Sequence, residues 1–153
     1  MRFFDVHTHV QFAAFKEDSE AVIKRALENN VWLINVGTQK DTSRVAAELA
    51  RNYPEGVYAS VGLHPIHAEK SYHDSQELGD PSASSGFTSR GEEFDYDYYK
   101  KIASDPKVVA IGECGLDYYR LDDYTKIEPH SHDAPPITVP AAELKKRQKE
   151  VFA

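Results

Sequence analysis

Val31-Trp32-Leu33-Ile34-Asn35-Val36-Gly37, then Asp41–Asn52, then Val57-Tyr58-Ala59-Ser60-Val61-Gly62 is the stretch that decides the fold. Two short runs rich in β-branched residues each end at a glycine. Between them Val45, Ala46, Leu49 and Ala50 recur at helical spacing on one side, and Pro54 stops the helix. Two apolar strands joined by a helix-length crossover lie parallel, with a right-handed connection.

The same rhythm extends in both directions. Towards the N-terminus, Arg2–Val6 reads as a strand. Ser19–Asn29 reads as a helix, with Ser19 as N-cap and Val22, Ile23, Ala26 and Leu27 as its apolar face. Towards the C-terminus, Phe94–Ala103 reads as a helix through Phe94, Tyr98 and Ile102, broken by Asp105-Pro106. Lys107–Ile111 reads as a fourth strand closed by Gly112, and Ala141–Phe152 as a fourth helix. Ser71–Glu93 and the proline-rich Leu121–Pro140 have no apolar period and read as exposed, irregular insertions in the loops after strands three and four. Setting them aside leaves about 110 residues, or about three and a half units at the ~31 residues per unit of a complete eightfold barrel. The expected fold is therefore α/β: one domain over residues 1–153, built of parallel (β/α) units that make the N-terminal half of a TIM barrel.

Composition removes several function classes. A net charge of −7 over 153 residues disfavours a basic groove for nucleic acid, but not a phosphate-handling site whose positive charge comes from divalent cations. No apolar run approaches the ~18 residues of a membrane span, so no membrane partner is expected. Asp5 interrupts any signal-like apolar segment at the N-terminus. The single cysteine, Cys114, rules out an internal disulfide framework; the expected location is the reducing cytoplasm, with the thiol as a small space-filler.

Chemistry concentrates where the strands end. In His7-Thr8-His9, residues i and i+2 of an extended chain share a face, so both imidazoles can meet one ion. Imidazole suits several transition metals, and parallel barrels place their ligands at strand C-termini; the bland alternative is two surface histidines. Glu113, in Ile111-Gly112-Glu113-Cys114-Gly115-Leu116-Asp117, falls on the same rim. Its carboxylate can bridge two metals, or simply be a loop acid. His64, locked by Pro65, can touch substrate or remain a hydrogen-bonded loop histidine. Asp117 and Arg120, with Tyr118 and Tyr119, can line a substrate channel, with Arg120 meeting a phosphate, or form a solvated turn. A second pair, His130 and His132, sits in the proline-rich insertion with no strand to aim it and is set aside. Lys145, Lys146, Arg147 and Lys149 are flanked by Glu143 and Glu150, which reads as a solvated helix face.

Phe4-Asp5-Val6-His7-Thr8-His9, Val36-Gly37-Thr38, Gly62-Leu63-His64-Pro65, Ile111–Tyr119 and Gln148-x-x-x-Phe152 occur in the order found in the TatD family, which the sequence resembles outside its two insertions. The resemblance implies a metal-dependent hydrolase on a TIM barrel, a deoxyribonuclease acting on DNA or a small phosphodiester. It implies His7, His9 and Glu113 as metal ligands, with Glu113 bridging two divalent cations (Mg, Mn or Zn) and serving as the catalytic carboxylate. His64, Asp117 and Arg120 would meet substrate. The family's further histidines and aspartate, from strands five to eight, have no counterpart in this sequence. The resemblance thus also implies an incomplete site, a chain that is poorly active alone, and a partner: a C-terminal half-barrel or a second copy. Two other readings stand beside it, a non-catalytic half-barrel subunit and another His-x-His metallohydrolase. Glu113 disfavours the latter, because classical amidohydrolases usually carry a lysine at that strand end.

Overall fold

A computed structural model describes residues 1–68, 72–73, 87–88, 91–118 and 139–153. Its elements are β1 (Phe3–Thr8), α1 (Ser19–Glu28), β2 (Val31–Val36), α2 (Lys40–Arg51), β3 (Val57–Val61), β4 (Tyr72–His73), β5 (Phe87–Thr88), α3 (Tyr96–Ala103), β6 (Val108–Ile111) and α4 (Ala141–Phe152). β1, β2, β3 and β6 form one parallel sheet in that order. This is a partial (β/α) barrel: the sheet does not close, and among the described residues β1 and β6 are its edges.

The core lies between this sheet and its helices. Leu33, Val57 and Ala59 meet Ile23 of α1 and Ala46, Ala47 and Ala50 of α2. The three alanines are fully buried, so the face that α2 turns to β2 and β3 presents only methyl groups at these positions. Residues alternating with this set point to the opposite face. There Phe4, Trp32 and Tyr58 form an aromatic cluster with ring centroids 5.8–6.0 Å apart. With no second layer over it, that face leaves Phe4, Val6 and Val109 exposed.

The element ends correct the sequence reading in instructive ways. β1 runs two residues past Val6, so His7 is within the strand. Ser19 is the first helical residue rather than the cap; Asp18 holds the cap position without a side-chain cap bond. α3 starts at Tyr96, not Phe94, because Asp95 accepts a hydrogen bond from the Tyr98 amide. Phe94 lies outside the helix and stacks on Tyr99. Cys114 is exposed, not a space-filler.

Most of Ser71–Glu93 and Leu121–Pro140 lies outside the described residues, as do His130 and His132. Two described parts depart from the irregular, exposed expectation. β4 and β5 pair antiparallel. Glu92 is half-buried and structural: its carboxylate accepts from the Lys40 amide at 2.9 Å, in the first turn of α2, and from the Tyr99 hydroxyl at 2.6 Å. A carboxylate at a helix N-terminus is favoured by the helix dipole.

Candidate metal centre

His7, His9 and Glu113 come together at the C-terminal rim of the sheet, each offering a ligand atom within 4.8 Å of the others. His7 Nε2 lies 2.9 Å from Glu113 Oε1 and 3.2 Å from His9 Nε2. Around a cation with bonds of about 2.1 Å, neighbouring ligand atoms are separated by roughly 3.0–3.4 Å. Both separations from His7 match that spacing, and the three residues form a group that could hold a divalent ion.

Each ligand atom is aimed by the backbone around it. His9 Nδ1 lies 2.9 Å from the Val36 carbonyl oxygen, which can only accept, so Nδ1 carries the proton and Nε2 keeps its lone pair. A ring N–H fixed by a backbone carbonyl is a common second tie of a metal-ligating histidine. Phe12 stacks on the same ring at 4.4 Å and 21°. His7, with a side chain 53% exposed, is the outermost member.

Glu113 follows β6 through Gly112. The Gly112 amide donates to the Val61 carbonyl, and the Glu113 amide to the Gly37 carbonyl. The Ser60 hydroxyl donates to the Gly112 carbonyl at 2.7 Å. Three strand ends thus converge on one carboxylate: β2 through Gly37, β3 through Ser60 and Val61, and β6.

His64 faces the same carboxylate, its Nε2 3.9 Å from Glu113 Oε2. Its Nδ1 accepts from the Ile66 amide at 3.1 Å, so in the neutral ring Nε2 carries the proton. That makes His64 a donor directed at the site rather than a metal ligand. Asp117 is half-buried, and its loop is clasped by Gln148: the Asp117 amide donates to Gln148 Oε1 and Gln148 Nε2 donates to the Asp117 carbonyl, both at 2.9 Å. Tyr118 is exposed beneath the Lys145 ammonium, 5.2 Å from its ring. Tyr119 and Arg120 lie outside the described residues.

Sequence reasoning missed Asn35, which accepts from the Thr8 hydroxyl and the Val10 amide on either side of His9. The available signal was a lone amide inside an otherwise apolar strand.

The profile of the family described as TatD related DNase matches residues 4–153, all but the first three positions of the chain. The chain belongs to the TatD family. It is 33% identical over 118 residues to the 3'-5' ssDNA/RNA exonuclease TatD of Erwinia tasmaniensis, covering 76% of this chain and 38% of that protein. The enzymes of the same name from Yersinia pseudotuberculosis (33%) and Salmonella typhimurium (32%) match over the same share of this chain and 38% and 37% of their own lengths. This TatD-family chain thus spans less than two-fifths of the curated relatives it matches.

Proposed function

We propose that this chain carries part of a divalent-metal hydrolase site of the TatD type, acting on phosphodiester bonds of nucleic acid. The observation that carries the reading is the gathering of one ligand atom each from His7, His9 and Glu113, all within 4.8 Å of one another. Belonging to a family whose relatives bear the name of exonucleases supports the reaction class.

A divalent cation held by His7, His9 and Glu113 would supply positive charge to a phosphodiester and acidify water. The chain's own residues do the rest. His9 is held by Val36 in the tautomer that offers Nε2. Glu113 has a second oxygen beyond the one near His7, available to a second cation. His64 presents its Nε2 proton towards that carboxylate, placed to donate to a phosphate oxygen. Asp117 and Arg120 are assigned to the substrate side, from their place in the sequence just after Glu113 and the affinity of a guanidinium for phosphate. Of Mg, Mn and Zn, the two imidazoles suit Mn and Zn better than Mg, which prefers oxygen ligands.

The open sheet favours a second reading beside the first. We assign residues 1–153 to one half-barrel unit whose exposed face pairs with a further (β/α) half or with a second copy of the chain, so that this chain alone is a poor nuclease. Among the described residues no helix is long and apolar enough to cross a membrane. A cytoplasmic location is part of this proposal and rests on the single cysteine of the sequence.

The test titrates Mn²⁺ into the 153-residue chain and its Glu113→Ala variant, and follows 3'-end release from single-stranded DNA. Binding by the parent and its loss in Glu113→Ala is the expected result. Equal Mn²⁺ binding by both would remove the metal assignment. Strong Glu113-dependent cleavage by the monomer would remove the half-site reading.

A further inference from the structure

β1 does not pair regularly with β2 along its length. Asp5 lies opposite Leu33, but Thr8 lies opposite Asn35, so three residues of β1 advance against two of β2. One extra residue is accommodated between them, a bulge-like shift at Val6 and His7, the first of the two histidines. Because side chains alternate along a strand, one inserted residue turns everything after it to the other face. With regular pairing His7 would lie opposite Asn35, on the face where Leu33 packs against the helices. With the bulge, Thr8 takes that place, and His7 and His9 turn to the face where Glu113 reaches them.

What holds the bulge is Asn35. It is fully buried, and its Oδ1 accepts from the Val10 amide at 3.1 Å and from the Thr8 hydroxyl at 2.9 Å, whose proton it shares with the Ile34 carbonyl at 3.0 Å. These two donors flank His9 on either side. The Val10 amide is an obligate donor, so the oxygen, not the nitrogen, must occupy this position. Nδ2 is then directed away and makes no hydrogen bond among the described residues. A buried donor left that way opposes folding. A Val or Ile, as elsewhere in β2, would avoid that cost. The Asp5 carboxylate accepting from the His7 amide at 3.2 Å closes the bulge from the solvent side.

We propose that Asn35 is a positioning residue for the metal centre: it pins the bulged register of β1 and so turns the His7–His9 pair onto the Glu113 face. This rests on the metal reading above, but its structural half can be measured without a metal. Asn35 touches neither ligand side chain; it acts through Thr8 and Val10.

The experiment compares the 153-residue chain with Asn35→Ala, Asn35→Asp and Thr8→Val, using two readouts. One is the ¹⁵N spectrum of the His7 and His9 imidazoles in the metal-free protein. The other is the dissociation constant for Mn²⁺. In the parent, His9 shows the Nδ1-protonated tautomer fixed by Val36. Asn35→Ala mixes the tautomers and weakens Mn²⁺ binding about 10-fold, the low end of the range for losing a direct outer partner of a ligand. Asn35→Asp keeps an acceptor oxygen and retains the parent tautomer and Mn²⁺ affinity while losing thermal stability, which separates positioning from stability. Thr8→Val removes one of the two donors and gives a smaller shift in the same direction, and it decides the matter if Asn35→Ala does not fold. Ile23→Ala, a core cavity far from the bulge, lowers stability and leaves both readouts in place. Unchanged imidazole spectra in folded Asn35→Ala or Thr8→Val would overturn the proposal. If the parent binds no Mn²⁺, the metal reading fails, and the spectra still decide whether Asn35 sets the histidine pair.

Discussion

At Gly62 an added Cβ would lie 2.8 Å from the Glu113 carbonyl oxygen and from the Gly112 carbonyl carbon. Both are backbone atoms that cannot swing aside, and they belong to the segment that presents the Glu113 carboxylate. Gly62→Ala should therefore cost about 1–3 kcal/mol in urea unfolding, typical of overpacking, and weaken Mn²⁺ binding in step by displacing Glu113. A stability loss with unchanged Mn²⁺ affinity would show that β3 does not set the carboxylate. Gly37 is tighter still: a Cβ there would sit 2.4 Å from the Ser43 Cα, where α2 crosses the end of β2. In the sequence both glycines read as strand closures. Their second use, letting neighbouring strand ends and helices touch, depends on partners six and fifty residues away.

Two helices are tied to the site's frame by identifiable groups. α3, with eight residues, is held at both ends by carboxylates. The Tyr98 amide and the Lys40 ammonium hold Asp95 below the usual carboxylate range. Burial pushes the Asp105 carboxyl up, but the Lys107 amide and the Arg51 guanidinium outweigh it and leave it lowered as well. A carboxylate with a lowered folded pKa stabilises above its unfolded value, near 3.9, and that contribution is lost as pH falls through the folded value. The urea midpoint should thus hold steady from about pH 7 to 5 and drop below about pH 4. Asp105→Asn should flatten the drop, and an unchanged profile would refute the assignment.

α4 is tied to the Asp117 loop by the paired bonds of Gln148, whose residue is 4% exposed. Gln148→Leu removes both of these bonds to the Asp117 backbone. A loss of about 1–3 kcal/mol is expected, with faster hydrogen exchange at the Asp117 amide as the local signature. Protection equal to the parent's would show that the clasp is dispensable.

For the whole molecule, the uncovered face of the sheet dominates. Val6 and Ile111 are each 65% exposed, Val109 51% and Phe4 46%, on strands whose outer edges are unpaired among the described residues. Exposed apolar patches and open strand edges favour association. Analytical ultracentrifugation of the 153-residue chain should show concentration-dependent oligomers, reduced by the double variant Val6→Lys/Ile111→Lys. A strict monomer at all concentrations would contradict the pairing reading. Little DNA cleavage is expected from the chain alone. Adding a complementary half should restore it if the halves pair.

The parallel (β/α) order was legible in the sequence because apolar period and glycine punctuation are local properties of the chain. His7, His9 and Glu113 could be picked out for the same reason: each lies at the end of a recognisable strand, and parallel strands bring such ends to one rim. The face to which the histidines turn was not legible. The i, i+2 spacing says that His7 and His9 point the same way, not which way. That choice belongs to a one-residue bulge in β1, set by the buried Oδ1 of Asn35 on a neighbouring strand. Nor could the sequence show that Glu92, within an irregular-looking insertion, ends as the carboxylate at the start of α2. Local pattern determines which elements form; register and the pairing of distant polar groups are settled only when the strands and helices pack, because only then do buried donors and acceptors compete for the same partners.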